Sequence, residues 1–131
     1  MFWKELTRLV EIGILSPMQQ YEYGTPVFII EKKEGNIILL TNFHWFNKTI
    51  FQKPYPIPII GYTMQQLEVL QFATALDITM GYYTIQLDEK YKYVMTIVTE
   101  FGKLQYNVLP MGMVMSGYIF LYKVKKIIGN I

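Results

Sequence analysis

The sequence predicts an α+β fold, and three of its features indicate this. Residues 2–12 place apolar side chains among charged ones with the spacing of an amphipathic helix. Residues 27–33 and 37–43 are apolar arms around a short polar turn, which is typical of a β-hairpin. Residues 93–98 and 103–109 predict a second pair of strands. With 131 residues, the chain is one domain or a piece of one.

Composition excludes some classes of protein. The chain is 52% hydrophobic and 16% aromatic, so it can form a core and is not a disordered tail. It has no cysteine and one histidine, His44, which excludes disulfides, thiolate metal sites and an ordinary zinc site. The net charge of +2 is spread evenly and is by itself no signature of nucleic-acid binding. No apolar run approaches the ~20 residues of a membrane span, and no signal-peptide pattern opens the chain.

The first helix is predicted from Trp3, Leu6 and Leu9, which share one face, and Gly13 is a natural stop. The β-hairpin that follows turns at residues 34–36, where glycine and asparagine tolerate positive φ. Both of its arms are nearly all apolar, so either both faces are buried or the hairpin presents a pairing-prone edge.

The middle of the chain leads to one acidic residue, Asp77. Three prolines make residues 53–58 extended, and residues 64–70 predict a short helix with two leucines turned inward. Residues 72–78 then predict a short buried strand that brings Asp77 to its C-terminal end. A lone aspartate at such a place is more often a turn or helix-cap residue than a catalytic one. Residues 79–82 turn the chain. At the C-terminus, an apolar helical stripe predicts core packing; it consists of Phe120, Val124, Ile127, Ile128 and Ile131.

The stretch around Asp77 resembles the first catalytic motif of reverse transcriptases, most closely those of gypsy-type long-terminal-repeat retrotransposons. Its matching residues are Leu76, Asp77, Ile78, Gly81, Tyr82, Tyr83 and Ile85. The resemblance extends over nearly the whole chain, through blocks in the family's order. These blocks contain Ser16, Pro17, Gly24 and Pro26, then residues 53–58, then Thr96, Phe101, Gly102 and Tyr106, and finally Leu109, Pro110, Met111, Gly112, Ser116 and Phe120.

This resemblance implies a truncated right-hand polymerase fold: an α+β structure with a fingers β-hairpin and a partial antiparallel palm sheet backed by helices. Residues 1–58 would be fingers and connector, and residues 59–131 a partial palm. The implied activity is RNA-directed DNA synthesis, in which two Mg²⁺ ions assist transfer of a nucleotide from a dNTP to a primer 3′-hydroxyl. The implied partners are an RNA or DNA template with its primer, a dNTP, and the remainder of a pol polyprotein; no membrane is expected.

The resemblance also assigns roles to residues. Asp77 would bridge both Mg²⁺ ions, and the backbone carbonyl of Ile78 would add a ligand. Tyr82 would lie under the sugar and exclude a 2′-hydroxyl. Lys32 and Lys33 would contact the triphosphate, although a solvated hairpin tip explains two lysines equally well. Nucleotide contacts are also implied for Met111 and Gly112, in the block that begins at Leu109.

The chain departs from the family at several positions. Ile38 stands where the family has a triphosphate-binding arginine, and it offers neither charge nor donors. An aspartate and a second arginine of the family are Asn42 and His44, and the asparagine and proline before the palm helix are Met115 and Gly117. The Tyr-x-Asp-Asp motif is absent from these residues, so we expect an incomplete metal site and no activity from this chain alone.

Two other readings remain open. The chain could be a non-catalytic module that binds nucleic acid or a partner through Lys32, Lys33 and the loop residues Gln19 and Gln20. It could also be a decayed element without function, as the substitutions at Ile38, Asn42 and Gly117 would allow.

Overall fold

The structure is a computed structural model, and it describes residues 2–19, 23–33, 35 and 37–129. It confirms the α+β class. In chain order its elements are α1 (Phe2–Glu11), β1 (Leu15–Pro17), β2 (Thr25–Glu31), β3 (Ile37–Thr41), α2 (His44–Thr49), α3 (Ile60–Leu67), a 3₁₀ turn (Gly81–Thr84), α4 (Glu89–Lys92), β4 (Thr96–Thr99), β5 (Gly102–Tyr106) and α5 (Val114–Ile128). None of the helices seen among these residues has the length and apolarity of a membrane span.

The five strands form one sheet in the order β1-β5-β4-β2-β3. The two predicted strand pairs are both present as antiparallel hairpins, β2–β3 and β4–β5. A parallel contact joins them, in which Thr25 lies opposite Ile97 and Pro26 opposite Val98. The sheet is therefore mixed, and it contains strands from both sides of the expected fingers–palm boundary between residues 58 and 59. The boundary itself stays a prediction.

The core lies between α1, one face of this sheet and the segment before α5. Helix α1 contributes Leu6 and Leu9, as its amphipathic pattern predicts, while Trp3 stays largely exposed. The sheet contributes Leu15, Leu39, Ile97 and Tyr106, and the segments that flank its strands contribute Phe43, Met95 and Leu109. The sequence left two alternatives for the apolar arms of this hairpin: burial of both faces or an exposed, pairing-prone edge. In the outer part of the hairpin the apolar side chains of β2 are exposed, so both faces are not buried there.

The predicted strand over residues 72–78 is wrong. These residues have no regular secondary structure, and Phe72 and Leu76 are 90% and 80% exposed. A strand needs a neighbour to take up its backbone hydrogen bonds, and the described residues place no strand beside this segment. An apolar run alone does not supply that neighbour.

Two helix predictions also need correction. Helix α3 begins at Ile60, before the predicted start, and Leu67 and Leu70 are exposed instead of turned inward. In α5, Phe120 and Val124 are half-buried, but Ile127 and Ile128 are exposed, so the stripe is core only at its N-terminal end. Ile131 lies outside the described residues. In both helices the apolar side chains are present, but among the described residues no neighbouring element covers the exposed ones.

A buried pair of hydroxyl groups connects the edge strand β3 to β5. The hydroxyls of Thr41 and Tyr106 lie 3.0 Å apart, and both residues are almost completely buried. Burial raises the pKa of Tyr106 well above its ordinary range. Burial also raises the pKa of Tyr83, whose ring centroid lies 6.5 Å from that of Tyr106. Tyr106 thus links the hairpin to the segment that carries the 3₁₀ turn.

We expect Tyr106→Phe to lower the free energy of unfolding by about 1–3 kcal/mol, because it leaves the buried Thr41 hydroxyl without a partner. The pH dependence should change too. A phenol whose pKa is raised by folding contributes stability below its unfolded pKa of about 10, and that contribution is lost as pH rises further. Urea unfolding measured at neutral and alkaline pH should therefore show that the free energy of unfolding falls less steeply with rising pH in the variant than in the parent.

The matched control is Tyr91→Phe, because Tyr91 is 53% exposed. We expect this change to stay within about 0.5 kcal/mol of the parent. Equal losses for the two variants would contradict a special role for the Thr41–Tyr106 pair.

Candidate nucleotide and nucleic-acid site

Asn47 joins α2 to the loop before α5. Its side-chain Nδ2 donates to the carbonyl of Gly112 at 3.0 Å, and its Oδ1 accepts from the backbone N–H of Val114 at 2.9 Å. Helix α5 begins at Val114, so the second bond satisfies one of the N–H groups that a helix start leaves unpaired. One side chain thus fixes the loop that carries Met111 and Gly112.

Gly112 is required at its position for two reasons. Its φ is +93°, a conformation that side-chain-bearing residues rarely adopt. A Cβ on this residue would also lie 2.4 Å from the backbone oxygen of Thr41, which is far inside contact distance. The loop therefore lies directly against the end of β3.

A groove of about 330 Å³ opens at this junction. We call it the Gly112 groove, and its lining consists of Phe28, Leu40, Thr41, Asn42, Phe43, His44, Asn47 and Gly112. None of these described lining residues is a carboxylate. The Thr41 hydroxyl and the Asn47 amide are already hydrogen-bonded within the protein. The exposed amide of Asn42 and imidazole of His44 are the polar side chains that can hydrogen-bond to bases, sugars or phosphates. Gly112 is thus brought together with two departures from the family pattern, Asn42 and His44.

Tyr82 lies in the 3₁₀ turn and is held against α5. Its ring packs edge-on to the ring of Phe120, with centroids 5.3 Å apart. This contact depends on Gly81, because a Cβ there would lie 2.7 Å from the Phe120 ring. The preceding residue, Met80, has left-handed backbone angles that start the turn, as the sequence predicts for residues 79–82. Gly81 therefore allows the close contact with Phe120 that sets the orientation of the Tyr82 ring.

Asp77 is exposed, in the segment without regular structure. Ile78, beside it, lines a groove of about 450 Å³ with Phe120, Lys123 and Ile127. Among the described residues, no group of three His, Cys, Asp or Glu side chains is placed to hold a metal ion. One exposed carboxylate and one carbonyl do not make a magnesium site, since Mg²⁺ needs several oxygen ligands in a near-octahedral arrangement. The expected metal ligands therefore do not fit the ion by themselves.

Lys32 and Lys33 follow the end of β2, and both are exposed at the hairpin tip. On β3, Ile38 lies directly opposite Ile30 of β2. The position that the family fills with a triphosphate-binding arginine is thus occupied by one half of an apolar cross-strand pair. Of the two loop glutamines, Gln19 is exposed, and Gln20 lies outside the described residues.

Two features of this region were not predicted. The bridging role of Asn47 depends on the proximity of α2 and the Gly112 loop, which a local sequence pattern does not contain. Trp45 projects from α2 with 77% of its surface exposed, and no spacing argument had singled it out. The large aromatic ring itself was the only signal that the sequence offered for this residue.

We expect Asn47→Ala to lower the free energy of unfolding by about 1–3 kcal/mol, because two hydrogen bonds are lost and their backbone partners are left to water. Amide hydrogen exchange between residues 111 and 116 should accelerate more than exchange in β4 and β5. Asn47→Asp should lose less, since it keeps the acceptor for Val114. The exposed neighbour Lys48 provides the control: Lys48→Ala should leave both measurements near the parent, and exchange that is unchanged in Asn47→Ala would contradict the bridging role.

Comparison with known proteins gives a consistent result. No family model matches the chain. The retrovirus-related Pol polyprotein from transposon opus of Drosophila melanogaster is 28% identical over 122 residues, which is 89% of this chain and 12% of that polyprotein. The transposon Tf2-7 polyprotein of Schizosaccharomyces pombe is 24% identical over 127 residues, covering 97% of this chain and 10% of that polyprotein. The chain thus spans about a tenth of the length of these relatives.

Solved structures show the same relationship at the level of fold. A prototype foamy virus protease–reverse transcriptase matches with a TM-score of 0.85 at 19% identity, covering 97% of this chain and 17% of that one. A foamy viral protease–reverse transcriptase in complex with double-stranded DNA matches with a TM-score of 0.79 at 17% identity, covering 99% of this chain and 22% of that one. The chain is therefore a homologue of retrotransposon and retrovirus-related Pol polyproteins, with the fold of part of a reverse transcriptase.

Proposed function

We propose that this chain is the fingers and first part of the palm of a retrotransposon RNA-directed DNA polymerase, and that it binds primer–template without catalysing synthesis by itself. The observation that carries the proposal is the Asn47–Gly112 contact. This contact places two parts of the chain at one groove: the β2–β3 hairpin with the helix α2 that follows it, and the motif from Leu109 to Gly112. The two bonded residues are 65 positions apart in the sequence. These two sequence blocks are the ones that the family resemblance assigns to template and nucleotide.

The nucleotide would meet this chain at three places. Lys32 and Lys33 supply positive charge for a triphosphate, Met111 and Gly112 supply backbone groups, and Tyr82 supplies an aromatic face beneath the sugar. Ile38 supplies nothing to a phosphate, so we expect weaker dNTP binding than an arginine at this position would give. The fixed ring of Tyr82 supports its proposed role in excluding a 2′-hydroxyl.

Catalysis would need more than these residues provide. Asp77 and the carbonyl of Ile78 are the metal ligands that this chain would contribute. Magnesium-assisted transfer requires further hard oxygen ligands, which the described residues do not supply. We therefore expect the metal site to be incomplete in this chain alone.

The chain alone is expected to give no Mg²⁺-dependent extension of a primer on an RNA or DNA template, because its donor set for the metal is incomplete. Incorporation of labelled dNTP measures this directly. Synthesis that disappears in Asp77→Asn would contradict the proposed inactivity and would show that Asp77 is catalytic in this chain. Synthesis that persists in that variant would point to a contaminating polymerase.

Binding to primer–template should weaken as salt rises, since phosphate contacts release counterions. The double variant Lys32→Gln/Lys33→Gln should bind more weakly, and the slope of log K against log salt should fall by about 1–2 because two phosphate contacts are lost. Fluorescence anisotropy of labelled duplex over a salt series measures both quantities.

The charge-matched control is Lys4→Gln/Lys90→Gln, which removes two exposed lysines from α1 and α4. The same reduction in the control would assign the effect to net charge instead of the hairpin tip. Salt-insensitive binding of the parent would overturn the proposed function.

A non-catalytic nucleic-acid-binding module is the second candidate. It is favoured by the lining of the Gly112 groove, which presents polar groups and no carboxylate among its described residues, while Asp77 stands apart from other metal ligands. Salt-dependent binding without synthesis, even after the remainder of a related polymerase is added, would support this candidate. Restored synthesis after that addition would support the polymerase fragment.

A further inference from the structure

One edge of the β2–β3 hairpin lacks a neighbouring strand over most of its length. Strand β4 pairs with β2 at Thr25 and Pro26, and among the described residues no strand lies beside residues 27–31 on that side. We call residues 27–31 the open edge. We propose that the open edge pairs with the same edge of a second copy of this chain, in antiparallel orientation, and so forms a dimer. This inference goes beyond the proposed function and does not depend on it.

The backbone groups of the open edge point away from β3. In an antiparallel pair, alternate residues direct their N–H and C=O groups toward the partner strand. The N–H of Asn42 donates to the carbonyl of Pro26 at 3.0 Å, in line with the β2–β3 register, so the even-numbered residues of β2 face β3. The odd-numbered residues direct their groups outward: Val27, Ile29 and Glu31. A row of such groups is satisfied by an added strand, which defines an extended backbone as the occupant.

The opposite edge of the hairpin, on β3, is closed. Its outward-facing residues Leu39 and Thr41 are only 3% and 2% exposed, and Gly112 lies against the carbonyl of Thr41. The open edge differs, because Ile29 and Glu31 are both exposed. Each hairpin therefore offers one edge, and an isologous contact through it closes at two copies.

The side chains of the open edge fit a second copy of themselves. Phe28, Ile29 and Ile30 are 54%, 44% and 47% exposed, and the described part of the chain leaves these three consecutive apolar residues largely uncovered. Ile29 is the central residue of the open edge. A two-fold axis there places Ile29 opposite its own counterpart and Phe28 opposite Ile30 of the other copy. Aromatic and β-branched residues opposite each other stabilise antiparallel strands.

Charge and space favour this register over its neighbours. An axis at Glu31 would set two carboxylates opposite each other, which is destabilising. An axis closer to Thr25 would bring the second copy against β4, which already pairs with Pro26. The axis at Ile29 avoids both conflicts and allows about six backbone hydrogen bonds, two for each hydrogen-bonded pair of residues.

The size of the contact determines how strong the dimer can be. It joins two short strands, whereas specific stable interfaces bury about 1,200–2,000 Å² in total. We therefore expect a reversible dimer whose population rises with protein concentration.

Ile29→Lys tests the proposal at the axis, where a dimer would hold two like charges opposite each other. In sedimentation velocity, we expect the parent to change from monomer to dimer as its concentration rises, and Ile29→Lys to lose this change. The matched control is Ile127→Lys, which introduces the same charge at an apolar side chain of α5 that is 83% exposed. It should dimerise as the parent does. The urea midpoint of Ile29→Lys, measured at a concentration where the parent is monomeric, should match that of the parent, which excludes misfolding as the cause.

Disulfide formation tests the register, because the chain has no cysteine of its own. In Ile29→Cys, the two thiols of a dimer would lie opposite each other, at a Cα separation of about 5.5 Å that a disulfide can span. Under mild oxidation, Ile29→Cys should form a covalent dimer while Ile127→Cys remains largely monomeric. A mixture of Val27→Cys and Glu31→Cys chains should form the mixed disulfide in preference to either homodimer, because antiparallel pairing places these positions opposite each other.

Four results would overturn the inference. A parent that stays monomeric at every concentration tested would mean that a second copy does not occupy the open edge. Equal loss of association in Ile29→Lys and Ile127→Lys would assign it to exposed apolar surface in general. Growth beyond two copies would mean that the contact does not close. Cross-linking of Ile29→Cys no faster than that of Ile127→Cys would exclude pairing at this edge. The proposed function would stand in each case, because binding to primer–template is measured separately.

Discussion

The buried contact between Thr41 and Tyr106 is the point on which the arrangement of this protein depends. Thr41 ends β3, an edge strand, and its hydroxyl meets the tyrosine hydroxyl of β5 across the sheet. Its backbone oxygen lies against Gly112, where any side chain would be excluded. One residue therefore links the hairpin, the central strands and the loop before α5. This hydroxyl contact tolerates little displacement, because separation would leave the buried Thr41 hydroxyl unpaired in the core.

The packing of the chain is uneven. The segments around the sheet bury their apolar side chains, whereas residues 51–78 are almost entirely exposed although they include many apolar side chains. The C-terminal end of α5 is exposed as well, and the groove lined by Ile78 and Ile127 shows that the two regions border each other. Contiguous apolar surface of this kind marks a place for further contacts and carries a risk of aggregation. The Asp77 segment belongs to this weakly packed part, while Tyr82 and Gly112 belong to the well-packed part.

This division separates the residues proposed to contact template and sugar from the residue proposed to hold metal. The groups proposed to contact template and sugar are fixed by the core: Gly112 through Asn47 and Thr41, and Tyr82 through Gly81 and Phe120. The proposed metal ligand, Asp77, has no comparable support among the described residues. Positions of reacting groups must be held closely for catalysis, so the proposed contacts to template and sugar have more structural support in this chain than the proposed metal ligand has.

The sequence by itself determined the elements whose information is local. Helix α1, both hairpins and the turn before Tyr82 follow from apolar spacing, from glycine and from turn residues, and the motif order was sufficient to indicate the reverse transcriptase resemblance. Only the tertiary structure decided which apolar runs are buried. Residues 72–78 and the end of α5 have the composition of core elements, yet burial and strand pairing require a partner surface that a local pattern cannot supply. The tertiary structure likewise decided that Asn47 meets Gly112, because that contact joins residues distant in the chain.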